Sequence, residues 1–166
     1  MRVFGIDPGL SVTGFGIVER KGNRIAPLGW GVIRSGKGTL AERLDRLFTS
    51  ITEKLGEYEP DIVGVEDIFT GKNPSSGLKL GHARGILILA AARCGYEVRE
   101  FPTAVVKKAI TGQGRAVKSQ VGFMVQRMLG IAGEKMPEDA SDALAVAVCC
   151  LFRERNGISG VPVNLR

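Results

Sequence analysis

A chain of 166 residues with 44% hydrophobic and 24% charged residues has the make-up of one compact domain. That excludes wholesale disorder and fibrous architectures, and it leaves little room for a second lobe. No apolar run reaches the roughly 18 residues that a bilayer span needs, and MRVFGIDPG at the N-terminus lacks the apolar core of a secretory signal, so a soluble, cytoplasmic protein without membrane association is expected. The net charge of +6 is unevenly placed. Between Phe69 and Lys118 stand nine basic residues (Lys72, Lys79, Arg84, Arg93, Arg99, Lys107, Lys108, Arg115 and Lys118) against two acids, Glu97 and Glu100, a window of +7 that leaves −1 elsewhere. A basic block spread over several segments points to a surface that follows a polyanion. Cys94, Cys149 and Cys150 have no metal-ligand spacing and are expected to be reduced core thiols.

In chain order, Arg2 to Ile6 is short, apolar and β-prone, and it runs into Asp7 and the Pro8-Gly9 breaker, placing Asp7 at a strand's carboxyl end. Val12 to Glu19 and Arg24 to Arg34 read as two more strands joined by a hairpin at Lys21-Gly22-Asn23, giving three antiparallel strands. Leu40, Leu44, Leu47, Phe48, Ile51 and Leu55 recur at helical spacing, in a helix ending before Pro60 whose acids Glu42, Asp45 and Glu57 fall on the solvated side. A right-handed crossover through that helix sets the apolar strand Asp61 to Glu66 parallel to the first strand. The polar stretch Asp67 to Gly77 reads as a loop, and a long helix is expected from about Leu78 to Arg93. Glu97 to Phe101 is a fifth strand closed by Pro102, followed by a short helix near Thr103 to Ile110. Beyond the irregular Thr111 to Ala116, the spacing of Val121, Met124, Val125 and Met128 restores a helix. The last helix, Asp139 to about Arg153, is apolar nearly all round and must be buried. The expectation is an α/β domain over 1–153, a five-stranded mixed sheet flanked by helices, with a flexible tail over 154–166.

Asp7 and Glu66 each end an apolar strand, so parallel pairing brings both carboxylates to one edge of the sheet, where α/β sheets carry their ligand sites. Asp139 and Asp142 are three apart at the start of the last helix, hence on one face, although Asp139 also suits a helix cap. Four carboxylates brought together raise one another's pKa values unless a divalent cation neutralises them. Oxygen ligands without histidine or thiolate favour Mg²⁺ or Mn²⁺ over Zn²⁺, and two such ions support in-line phosphodiester hydrolysis that leaves a 5′ phosphate.

Three blocks, GIDPGLSVTGFGIV at 5–18, VEDIFTGKNPSSGLKLGHARG at 65–85 and DASDALAVAV at 139–148, are highly specific in this order and separation. Through them the chain resembles the RuvC family of Holliday-junction resolvases over roughly residues 1 to 152. The resemblance implies a ribonuclease H-like fold and a homodimer that nicks paired strands of four-way junction DNA with Mg²⁺, in recombination and repair, alongside a branch-migration motor complex. By motif position it assigns catalysis and metal binding to Asp7, Glu66, Asp139 and Asp142, with Glu138 beside Asp139 leaving the third ligand open. Phe69 matches the family's aromatic that stacks at the crossover, and Lys107 and Lys118 match basic positions near the scissile phosphates. Lys72, Asn73, Lys79, Arg84 and Arg115 are the remaining expected DNA contacts. His82, the single histidine, is read as a phosphate contact or dimer-face residue, and Gly81 and Gly85 as serving either the core or a dimer seam. The rival readings are an actin-like nucleotide phosphotransferase, a noncatalytic DNA-binding module and another nuclease of the same fold.

Overall fold

The structure, a computed structural model, describes residues 1–67 and 74–155. Its elements in chain order are β1 (Arg2–Asp7), β2 (Val12–Lys21), β3 (Arg24–Arg34), α1 (Leu40–Tyr58), β4 (Ile62–Asp67), α2 (Pro74–Arg93), β5 (Glu97–Pro102), α3 (Thr103–Thr111), α4 (Lys118–Met128) and α5 (Glu138–Arg155). The strands form one sheet in the order β3-β2-β1-β4-β5. β1, β2 and β3 pair antiparallel, while β4 and β5 run parallel to β1. The mixed sheet expected from the hairpin and the crossover is therefore the one observed.

The apolar runs of the central strands are buried on both faces. Phe4, Ile6, Phe15, Ile17, Val63 and Val65 point to one side and pack with Leu47, Ile51 and Leu55 of α1 and Ala83 and Leu87 of α2. Val3, Val18, Ile62 and Phe101 point to the other, under α3, α4 and α5. α1 starts at a capping box in which the Thr39 N–H donates to the Glu42 carboxylate at 2.7 Å and the Glu42 N–H to the Thr39 hydroxyl at 3.3 Å, an arrangement that contributes about 1 kcal/mol. No helix among the described residues is long and apolar enough to cross a membrane.

α5 lies closest to the sheet, and glycine is the reason. A Cβ on Gly5 of β1 would collide with the Ala143 carbonyl, and one on Gly14 of β2 with the Asp139 carbonyl. With hydrogen in those places the α5 backbone rests directly on the strands, and Ala143 through Leu151 are buried as the apolar sequence requires.

Three differences from the sequence reading have physical causes. α2 begins at Pro74 rather than Leu78, because proline's fixed φ and missing N–H cost nothing in a helix's first turn. Cys94 is exposed, unlike buried Cys149 and Cys150, because it follows α2 where its N–H still bonds to the Ala90 carbonyl and the chain turns out at Gly95, φ +84°. α5 continues through Arg155, with Glu154 paired to Arg99 at 3.3 Å, so 154 and 155 belong to the helix. Residues 156–166 lie outside the described residues.

Candidate active site

Ile6 pairs with Val65, which sets Asp7 and Glu66 side by side at the carboxyl ends of β1 and β4. Glu66 in turn pairs with Phe101, so that α3, starting at Thr103, leaves β5 at the same edge. Asp142 arrives from α5, one turn inside its start. These residues, with Thr103, Lys107 and Lys118, line a cavity of about 240 Å³ whose apolar wall is Val106, Val121 and Ala145.

The electrostatics are those of too much negative charge out of water. Burial, then the charges of Glu66, Asp142 and Asp139, push the Asp7 carboxyl up from an ordinary 3.8 to about 8. Glu66 and Asp142 are raised as well, first by burial. The Thr103 hydroxyl donates to Glu66, and a hydrogen bond links Glu66 to Asp7, each easing the Glu66 charge. Lys118 supplies the opposing charge, its Nζ lying 2.6 Å from Asp142 and 3.1 Å from Glu138. Burial works against that ammonium, but its hydrogen bonds to Asp142 and Glu138 together hold its pKa above the usual lysine range.

α5 begins at Glu138, which places Asp139 inside the first turn rather than at the cap. Asp139 is half-buried and its charge reaches Asp7 and Asp142, yet it does not line the cavity. Among the described residues no three acidic, histidine or cysteine side chains close into a metal cage. The acids expected to gather round an ion are thus drawn to one place, and a lysine shares it with them. The carboxylate oxygens of Asp7, Glu66 and Asp142 and the charge excess around them fit the chemistry of a hard divalent cation.

Of the expected DNA contacts, Lys107 and Lys118 line the cavity, while Lys79 and Arg115 are exposed. Arg84 is engaged within the chain: its guanidinium pairs with Asp67 at 3.3 Å and also with Glu100. Arg99, counted in the basic window, is 8% exposed and bound to Glu97 at 2.7 Å and to Glu154, so its charge is not available to a polyanion. Phe69, Lys72 and Asn73 lie outside the described residues. His82 is half-buried on α2. Gly81 and Gly85 are exposed with nothing within 4 Å of a Cβ built on them, so neither serves the core. Thr103 is the site residue that the sequence reading misses, since a threonine opening a helix after Pro102 looks like ordinary helix-end chemistry until the β4–β5 register brings it to Glu66.

The profile of the crossover junction endodeoxyribonuclease RuvC family matches residues 3–150. The chain belongs to the RuvC family. The crossover junction endodeoxyribonuclease RuvC of Citrifermentans bemidjiense is 46% identical over 168 aligned positions, spanning 100% of both chains. RuvC of Rhodospirillum rubrum is 47% identical over 150, covering 90% of this chain and 88% of that one. Among solved structures, Thermus thermophilus RuvC in complex with Holliday junction substrate superposes with a TM-score of 0.90 at 33% identity, covering 96% of this chain and 98% of the other. The fold is accordingly the ribonuclease H-like fold of RuvC.

Proposed function

We propose that the chain is a Holliday junction resolvase, a metal-dependent endonuclease that hydrolyses one phosphodiester in each of two opposed strands of a four-way DNA junction. The observation that carries this reading is the superposition on a RuvC solved with a Holliday junction substrate, because it spans 96% of the chain. Family membership and the cavity's donor set speak against an actin-like phosphotransferase and a noncatalytic module alike.

Asp7, Glu66 and Asp142 would hold two Mg²⁺ ions, or Mn²⁺ in their place, with Asp139 as the fourth acid. When bound, such ions supply Lewis-acid activation of water and of the scissile phosphate. The chain's own groups do the rest. Thr103 orients Glu66, and Lys107 and Lys118 reach phosphate oxygens from the cavity wall. Val106, Val121 and Ala145 keep that wall dry, which strengthens every charge interaction inside it. Lys118 has two uses: its ammonium pairs with Asp142, and it would meet a phosphate oxygen of a bound strand. Phe69 is the stacking aromatic at the crossover, with Lys72, Asn73, Lys79 and Arg115 holding the backbone and Arg84 holding the end of β4 against α2.

Two nicks related by a two-fold axis call for two cavities, hence a homodimer. Leu78, Gly81, Gly85 and Leu89 form one outward stripe of α2, with Leu78 64% and Leu89 49% exposed, and this stripe is the proposed seam. The working unit is then a single nuclease domain, acting in the cytoplasm beside a branch-migration motor. Labelled four-way junction, linear duplex and RNA–DNA hybrid, each incubated with Mg²⁺, test the reading. Symmetric nicks in the junction alone support it, and preferential cutting of the hybrid or the duplex overturns it.

A further inference from the structure

A second hollow, of about 350 Å³, lies beside the catalytic cavity between α4 and the start of α5. Lys118 and Asp142 border both, so the two hollows are neighbours separated by those side chains. Four other residues of the second hollow matter chemically: Gly122, Phe123, Gln126 and Ser141. Phe123 is 58% exposed although it sits mid-helix, where a core-packing phenylalanine would turn inward. Arg127 lies 5.6 Å from its ring centroid and gives the ring a cationic neighbour. The Ser141 residue is 8% exposed, and its hydroxyl has no hydrogen-bond partner among the described residues. Gly122 packs closely against that buried hydroxyl, since a Cβ there would stand 3.1 Å from the Ser141 Oγ.

Resting on the junction-nuclease reading, we infer that this hollow is a nucleobase subsite, in which Phe123 stacks a base of the cleaved strand while Gln126 meets its polar edge. Phe123 follows Lys118 by five residues, about 7.5 Å along the helix axis, or about two nucleotide steps at 3.4 Å each. A strand whose phosphate meets Lys118 in the catalytic cavity therefore brings a base within reach of the ring. Aromatic stacking accepts any base, because each has a π-face, so Phe123 supplies grip, and the amide of Gln126 adds edge preference. Lys118, 3.1 Å from Glu138 and 2.6 Å from Asp142, tempers the two acids of the lining that would repel the backbone. A protein partner is the less fitting occupant, because the hollow shares Lys118 with the cavity proposed to bind phosphate.

The test uses the full-length protein and four-way junctions carrying 2-aminopurine at each of the three positions on either side of the scissile phosphate, with chelator present to prevent cutting. The expected result is a change in 2-aminopurine emission at one position about two steps from the cut, lost in Phe123→Ala and kept in Phe123→Trp. With Mg²⁺ added, Phe123→Ala should cut intact junctions at least about fivefold more slowly, the lower end of what losing one stacked base predicts. An abasic site at the identified position should make parent and Phe123→Ala equal. Phe123→Ala cutting at the parental rate overturns the subsite and assigns the ring to a protein partner. A defect that persists undiminished on the abasic strand also overturns it, since the ring then only supports α4. If the parent protein itself cuts no junction, the broader reading fails first and the subsite with it.

Discussion

Asp7 couples the chemistry to pH. Its folded pKa of about 8 exceeds its ordinary 3.8, so between those values the folded chain keeps a proton that the unfolded chain has lost. The stability tied to that proton is present below pH about 4 and drains away as pH climbs towards 8. In chelator, the protein should therefore melt several degrees lower at pH 8 than at pH 6, and Asp7→Asn should flatten that difference; calorimetry at the two pH values decides it. The same substitution should drop cleavage below about 1% of the parent while leaving junction binding intact or tighter, because it removes a proposed metal donor and a charge that repels phosphate. Lys118 makes a different prediction. Since its ammonium holds Asp142 at 2.6 Å, Lys118→Ala should bind divalent cations several-fold more tightly by calorimetric titration, yet cleave at least about tenfold more slowly and lose about one unit of salt slope in junction binding. Asp7, Glu66 and Asp142 are legible in the sequence because each carboxylate interrupts an apolar run, and burying such a group demands a reason. The ion pairs of Arg84 with Asp67 and Glu100 and of Arg99 with Glu97 and Glu154 are not legible there, because a net charge counted along the chain does not say which side chains meet.

α5 fixes the height of Asp142 above β1, and it does so by backbone contact through Gly5 and Gly14. Gly14→Ala should push the helix off the sheet, lower the melting temperature by about 5 °C or more, and reduce cleavage more than binding. Gly56→Ala in α1 is the matched control: nothing lies within 4 Å of a Cβ there, and replacing a helical glycine should raise stability by about 0.5–1 kcal/mol. Parent-like melting and cutting by Gly14→Ala would show that this contact does not set the site. Most elements are legible from periodicity alone, since amphipathic α1 and the all-apolar α5 leave few alternatives. The start of α2 is not, because Ser75, Ser76 and Gly77 look like loop, and only the tolerance of a first turn for Pro74 makes them helix.

At the scale of the molecule, the cavity faces one way and the α2 stripe offers the means of doubling it. Leu89→Arg places a charge in the proposed seam without touching the cavity, so the folded chain should sediment as a monomer at micromolar concentration. Such a monomer should nick junctions singly, releasing few resolved duplexes, whereas the parent should release them in near-simultaneous pairs. A Leu89→Arg protein that still sediments as a dimer would move the seam elsewhere. The sequence displays Gly81 and Gly85 but not which way they face, because small residues at helical spacing suit a core and a seam equally, and only three-dimensional placement separates the two.

The glycine layer beneath α5 also has a genetic signature. Every missense change in a glycine codon installs a side chain, so each one at Gly5 or Gly14 sets a Cβ against the helix backbone. Loss-of-function alleles should accordingly fall into two classes with opposite inheritance. If the proposed dimer holds, alleles at the acids should leave a folded protomer that still pairs and occupies junctions, and they should be dominant over the parental gene. Alleles at the glycines reduce the amount of folded protomer, and they should be recessive.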